Sequence, residues 1–188
     1  IVFRLIERMG GGMSDEDAKS LYAGVVTDTG RFQYEATTPE TLRVGAALRE
    51  RDFDHARLAQ ALYEDGSFAA LGVMGKALER AQLDRDLRLV WTWITRKDLE
   101  EAGVQIQETD DMIDAIRVAR EADVAVVLKE QRDGGFKVSL RSRGDTNVGA
   151  VAEAFGGGGH RLAAGYSWEG GLDEAVQALR KTLREAAT

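Results

Sequence analysis

The sequence predicts an α/β chain in two lobes: a largely helical first part, then a mixed β-sheet flanked by helices. Three observations predict it. Capping residues followed by apolar residues at helical spacing dominate the first 80 or so positions, β-rich runs begin near Leu87, and an amphipathic stretch follows a glycine cluster at the end. The chain has 188 residues, of which 44% are hydrophobic and 30% charged, enough to bury one good-sized core or two small ones.

Ser14, with Asp17 three residues on, reads as a capping box, and Ala18, Leu21, Tyr22 and Val25 recur at helical spacing, so a helix is expected from 14 to about 26. Thr27-Asp28-Thr29-Gly30 then breaks the period. Thr38-Pro39 starts a second helix with proline at its first position, Asp54 caps a third, and Ser67 caps a fourth in which Leu71, Met74 and Leu78 share a face. Residues 87–94 are β-rich, and Thr95 with Asp98 caps a short helix ending before Gly103. Asp110 caps a helix to about Ala122. Strands at 124–129 and 136–141 flank Asp133-Gly134-Gly135, a hairpin signal. Asn147 caps a helix over 148–155, and a strand at 163–168 precedes a last helix at 172–186.

Composition excludes several functions. With no cysteine there is no disulfide framework, thiolate zinc site or cysteine nucleophile, and a reducing, cytoplasmic setting is expected. Apolar runs fall far short of the roughly 20 residues a membrane helix needs, so no membrane partner is expected. The chain opens Ile1-Val2-Phe3 without a basic-then-apolar leader, which reads as no signal peptide and a truncated N-terminus. A net charge of -7 argues against long duplex nucleic acid but leaves room for a short nucleotide in a local basic pocket.

The candidate chemistry centres on residues 155–165, Phe-Gly-Gly-Gly-Gly-His-Arg-Leu-Ala-Ala-Gly. Four glycines between a helix and a strand are costly in backbone entropy unless the main chain must approach something closely or take positive φ. Their N–H groups can form a nest for an anion, with His160 beside them as a donor. A flexible loop with an incidental histidine is the plainer alternative for a bare glycine run. The neighbouring Ser139-Leu140-Arg141-Ser142-Arg143 turns the balance, since arginine grips phosphate with a fork and serine adds short donors. Residues 132–161 carry five Lys/Arg (Arg132, Lys137, Arg141, Arg143, Arg161) against three acids. A solvated strand edge guarded by basic residues competes with the phosphate reading. Asp28, in a tight turn, suits a hard cation, although a lone turn aspartate is more often an Asx-turn cap. Asp54 reads as a helix cap and His55 as an exposed first-turn residue.

In this order and spacing, Thr27-Asp28-Thr29-Gly30-Arg31-Phe32, the Ser139–Arg143 strand and the Gly-Gly-Gly-Gly-His run with Ala163-Ala164-Gly165 resemble the DHH phosphoesterases. The resemblance is to the branch of nano-RNases and 3'-phosphoadenosine-5'-phosphate phosphatases. It implies that 1–67 is the C-terminal part of a DHH catalytic domain, 68–82 a connecting helix and 83–188 a DHH-associated substrate-binding domain. It further implies two manganese ions in the parent enzyme, activating water for attack on phosphorus. By position, Asp28 matches a manganese ligand, Ser139, Arg141 and Ser142 the substrate strand, and Gly157, Gly158, Gly159 and His160 the phosphate-gripping loop.

The family's other metal motifs should lie upstream of Ser14, where residues 1–13 hold no Asp or His. The chain therefore reads as a C-terminal portion, inactive by itself, of an enzyme acting on short single-stranded RNA or small nucleotides. A non-catalytic nucleotide-binding module, a RecJ-like single-strand exonuclease and a cyclic dinucleotide phosphodiesterase are the alternatives; a related domain in alanyl-tRNA synthetases would lack the Thr27–Phe32 segment. The surface around Val25 and Val26 is expected to be open, and either covered by self-association into a homo-oligomer or mobile.

Overall fold

The computed structural model describes residues 1–186 and divides into two compact units, Ile1–Asp65 and a second from Gly66 onward. The first is helical: α1 (Val2–Arg8), α2 (Asp15–Asp28), α3 (Pro39–Arg49) and α4 (His55–Tyr63). The α2 capping box forms as expected, the Asp17 amide donating to Ser14 Oγ at 3.2 Å and the Ser14 amide to the Asp17 carboxylate at 3.1 Å. The Ser14 hydroxyl, donating to the Asp17 carboxylate at 2.6 Å, and then the Ser14 amide hold that carboxyl below the usual carboxylate range. Thr38 and Thr41 repeat the box at α3, and Asp54 caps α4 through the Arg57 amide at 3.0 Å.

Ala18, Tyr22, Val26 and Leu48 form the core of this unit, with Val25, Phe32 and Phe53 packed against it. The expectation of an open surface at Val25 and Val26 is thus corrected: Val26 is buried in the unit's own cluster and Val25 is half-buried. Cross-packing of α2 and α3 with the aromatic rings supplies the cover. α2 also runs two residues further than its pattern suggested, which puts Asp28 in its last turn rather than in the loop.

The second unit contains α5 (Phe68–Glu79), β1 (Gln82–Asp84), β2 (Leu89–Ile94), α6 (Arg96–Ala102), a 3-10 turn (Ile106–Thr109), α7 (Met112–Ile116), β3 (Val124–Glu130) and β4 (Phe136–Ser142). It continues with α8 (Val148–Glu153), β5 (Gly158–His160), β6 (Ala163–Trp168) and α9 (Leu172–Ala186). The six strands form one mixed sheet in the order β1-β2-β3-β4-β6-β5. Only β2 and β3 run parallel, joined by a crossover through α6 and α7.

Strand alternation assigns the two faces. Val124, Val126, Leu128, Val138, Leu140 and Tyr166 meet Val148, Val151, Ala175 and Leu179 of α8 and α9. On the other face Val90, Ile94, Ala125 and Val127 meet Val73 and Ala77 of α5 and Ile113 and Ile116 of α7. This second cluster takes no residue from β4, β6 or β5, although α7 also approaches β4.

Three local expectations are corrected. Of the helix expected from Asp110 to Ala122 only α7 (Met112–Ile116) forms, followed by two reverse turns that swing the chain back to start β3; the 3-10 turn precedes this stretch. Asp110 is not the N-cap of a helix; its carboxylate accepts from the Lys129 ammonium at 2.6 Å. In α5 the buried face carries Val73 and Ala77, and Leu71 and Leu78 point outward, since small side chains let the helix lie close on the sheet. The glycine run is not a free loop: residues 158–160 form the edge strand β5. Among the described residues no helix is long and apolar enough to cross a membrane.

Candidate functional site

The candidate face is built by β4, β6 and β5, on the side of the sheet away from α8 and α9. In β4 the residues alternate strictly, with Phe136, Val138, Leu140 and Ser142 buried and Lys137, Ser139 and Arg141 on the other side. The register sets two rows across three strands. Ser139 pairs with Gly165, which pairs with Gly158; Arg141 pairs with Ala163, which pairs with His160. Directly paired residues share a face, so Arg141 and His160 stand on one side of the sheet with only the methyl of Ala163 between them. β4 is paired on both edges, which removes the reading of its basic residues as guards of a solvated strand edge.

Ser142 is not brought to this face. It is 3% exposed, lies on the α8–α9 side, and its Oγ accepts from the Gly144 amide at 3.3 Å. The charge inventory narrows similarly. Arg161 faces Asp145 at 3.6 Å and Arg143 donates to the Arg117 carbonyl at 3.1 Å, whereas the Arg141 guanidinium donates only to its neighbour's carbonyl, that of Leu140. His160 is exposed, and among the described residues no hydrogen bond or ion pair engages its imidazole.

The glycines have separate reasons. A Cβ on Gly157 would lie 2.3 Å from the Gly165 carbonyl oxygen, and Gly159 combines φ of 145° with a Cβ position 2.5 Å from the Ala163 oxygen. Both are required for β5 to lie flat against β6. Gly158 is different: its φ is not positive and a Cβ there meets nothing within 4 Å. The fold has no need of glycine at 158, and that position opens onto the face shared with Ser139 and Gly165. The anion nest expected for this run is replaced by strand pairing. The α8 N-terminus pins the turn after it, with the Val148 amide donating to the Arg161 carbonyl at 2.9 Å.

Asp28 sits in the other unit, exposed at the end of α2. The turn behind it is tightly held: Thr29 is buried, its Oγ1 donates to the Val25 carbonyl at 2.6 Å and accepts from the Phe32 amide at 3.1 Å. Arg31 and Phe32 are both left-handed, at φ of 62° and 63°. Two consecutive non-glycine residues there store strain, a pattern associated with functional segments. Arg31 lies over the Tyr63 ring at 3.8 Å and Phe32 packs into the core, which holds the conformation. His55 is exposed, as expected, and engaged with Tyr22 Oη at 3.2 Å.

Among the described residues no group of three or more His, Cys, Asp or Glu could hold a metal ion. Those residues therefore hold no complete manganese site, and Asp28 is the one position matched to a ligand.

Comparison with known proteins shows which family the chain resembles. Residues 90–188 match the DHHA1 domain model. The chain is 35% identical over 186 residues to the bifunctional oligoribonuclease and PAP phosphatase NrnA of Thermus thermophilus, covering 98% of this chain and 55% of that protein. It is 32% identical over 155 residues to the probable NrnA of Streptococcus mutans, covering 81% of this chain and 48% of that one. The crystal structure of an exopolyphosphatase-related protein from Bacteroides fragilis superposes with a TM-score of 0.88 at 28% identity, over 98% of this chain and 55% of that one. The chain thus spans about half the length of the curated relatives it matches. The chain belongs to the DHHA1 domain family and is similar to NrnA-type proteins over about half of their length.

Proposed function

We propose that this chain is the nucleotide-binding portion of a manganese-dependent phosphodiesterase that degrades short RNA oligonucleotides and 3'-phosphoadenosine-5'-phosphate in the cytoplasm. The observation that carries the reading is the Arg141–Ala163–His160 row: among the described residues, a guanidinium without a carboxylate partner and an exposed imidazole flank a methyl on one face, beside a glycine that the fold does not require. A phosphate seated over Ala163 accepts from Arg141 on one side and from His160 on the other, with Ser139 Oγ in the adjacent row. The small residues of β6 let it approach the main chain.

On this reading Asp28 supplies one ligand of a two-manganese site whose other ligands lie outside this chain, so the chain binds nucleotide and does not cleave it. The test is equilibrium binding of a 5'-phosphorylated diribonucleotide, with product release followed in the presence of manganese. Binding without cleavage is expected. His160→Ala and Arg141→Ala should each weaken binding by about tenfold, the scale of one charge-assisted hydrogen bond. Unchanged affinity in both variants would overturn the assignment of this face.

A further inference from the structure

We propose that β4 carries a ladder of phosphate contacts in which Lys137 holds a later nucleotide of a chain whose terminal phosphate sits at Arg141 and His160. Lys137 then sets how much affinity each added nucleotide brings. This rests on the nucleotide-binding reading above and adds to it a length-sensing residue.

Lys137, Ser139 and Arg141 occupy alternate positions on one face of β4. At about 3.4 Å per residue they stand about 7 Å apart, with Lys137 about 14 Å from Arg141. Successive phosphates of an extended single strand advance by a comparable step, so polar groups on alternate β4 residues can follow such a backbone. The strip beside them is formed by Ala163, Gly165 and Ser167 of β6, none larger than serine, which leaves a low floor along the strand.

The fold itself gives Lys137 no use. It is exposed, no carboxylate pairs with it among the described residues, and its paired neighbours are Ser167 and Lys129. Like charges directly opposite in a sheet are destabilising. Lys129 shows the contrast: its side chain is 4% exposed and its ammonium is met by Asp110 at 2.6 Å. Burial lowers the Lys129 pKa, and the nearby charge of Lys137 lowers it further. A cation kept on an interior strand at a cost to its neighbour is placed for something outside the fold.

The experiment measures the affinity of 5'-phosphorylated oligoadenylates of one to five nucleotides, without added metal, for the chain and its Lys137→Gln and Arg141→Ala variants. Thermal melting confirms that each variant is folded; Lys137→Gln should melt at or above the parent. For the parent, affinity should rise with length. Lys137→Gln should leave mononucleotide affinity unchanged, lower trinucleotide affinity about fivefold, and reduce the salt slope for the trinucleotide by about 0.7. Arg141→Ala should weaken every length. An intact length increment in Lys137→Gln, or an equal loss for mononucleotide and trinucleotide, overturns the ladder while the binding face stands. Failure of the parent to bind any length overturns both.

Discussion

Gly158 separates the needs of the fold from those of a ligand. Gly157 and Gly159 are fixed by the β6 backbone, whereas position 158 is open. Gly157→Ala should therefore lower stability by about 2 kcal/mol or more, because its Cβ must displace main chain. Gly158→Ala should keep the melting temperature and lower nucleotide affinity by crowding the space above Gly165; chemical denaturation and binding on both variants check the contrast. Part of this was legible in the sequence, since four glycines before a histidine demand an explanation. The distribution of reasons was not, because it depends on where β6 lies. Ser142 is the opposite case: period-two alternation already puts 141 and 142 on opposite faces, and the family resemblance, matched by position, grouped them in a common site.

Among the elements, long alternating runs were readable and short ones were not. The extents of β6 and α9 agree with the pattern of apolar residues, and β3 and β4 extend one residue beyond it. β1 and β5 have three residues each, too few for an alternation signal, and β5 is two-thirds glycine; both exist because longer strands template them. The caps at Ser14 and Thr95 and the Thr38-Pro39 helix start were visible as local chemistry, whereas the Thr38–Thr41 box was not read from the sequence. At α6 the Asp98 carboxylate also crosses to α5. It accepts from Arg80 Nη2 at 2.9 Å and faces Lys76 at 3.2 Å, while it is 3% exposed as a residue. The Arg80 hydrogen bonds, opposed by burial and helped by Thr95 and Lys76, hold this carboxyl well below the usual range. A carboxyl lowered on folding stabilises fully above its unfolded pKa of about 4, and that contribution is lost as pH falls toward the folded value. Asp98→Asn should cost about 3 kcal/mol at neutral pH, and the gap to the parent should close with acidification below about pH 4. Urea titrations at pH 7 and pH 3 measure it; a gap that is constant with pH would contradict the linkage. Asp110→Ala should likewise destabilise by leaving the Lys129 ammonium buried and unpaired, whereas Lys129→Met should be close to neutral.

For the molecule as a whole, each unit has its own core: Ala18, Tyr22, Val26 and Leu48 in the first, and two clusters on either side of the sheet in the second. A chain starting at Gly66 should therefore fold alone, with cooperative unfolding and nucleotide affinity within about twofold of the parent, while residues 1–65 should bind no nucleotide. The two-lobe α/β class was legible because helical and strand periods occupy different stretches. The pairing that places Arg141 and His160 across Ala163 was not, since residues 141 and 160 are joined only through a register between strands. The most direct measurement is an amide chemical-shift titration of the isotope-labelled chain with adenosine monophosphate and a 5'-phosphorylated diadenylate. Shifts concentrated at Ser139, Arg141, Gly158, His160, Ala163 and Gly165 are the predicted result. Shifts confined to the first unit, or to the helix-covered face under α8 and α9, would contradict it.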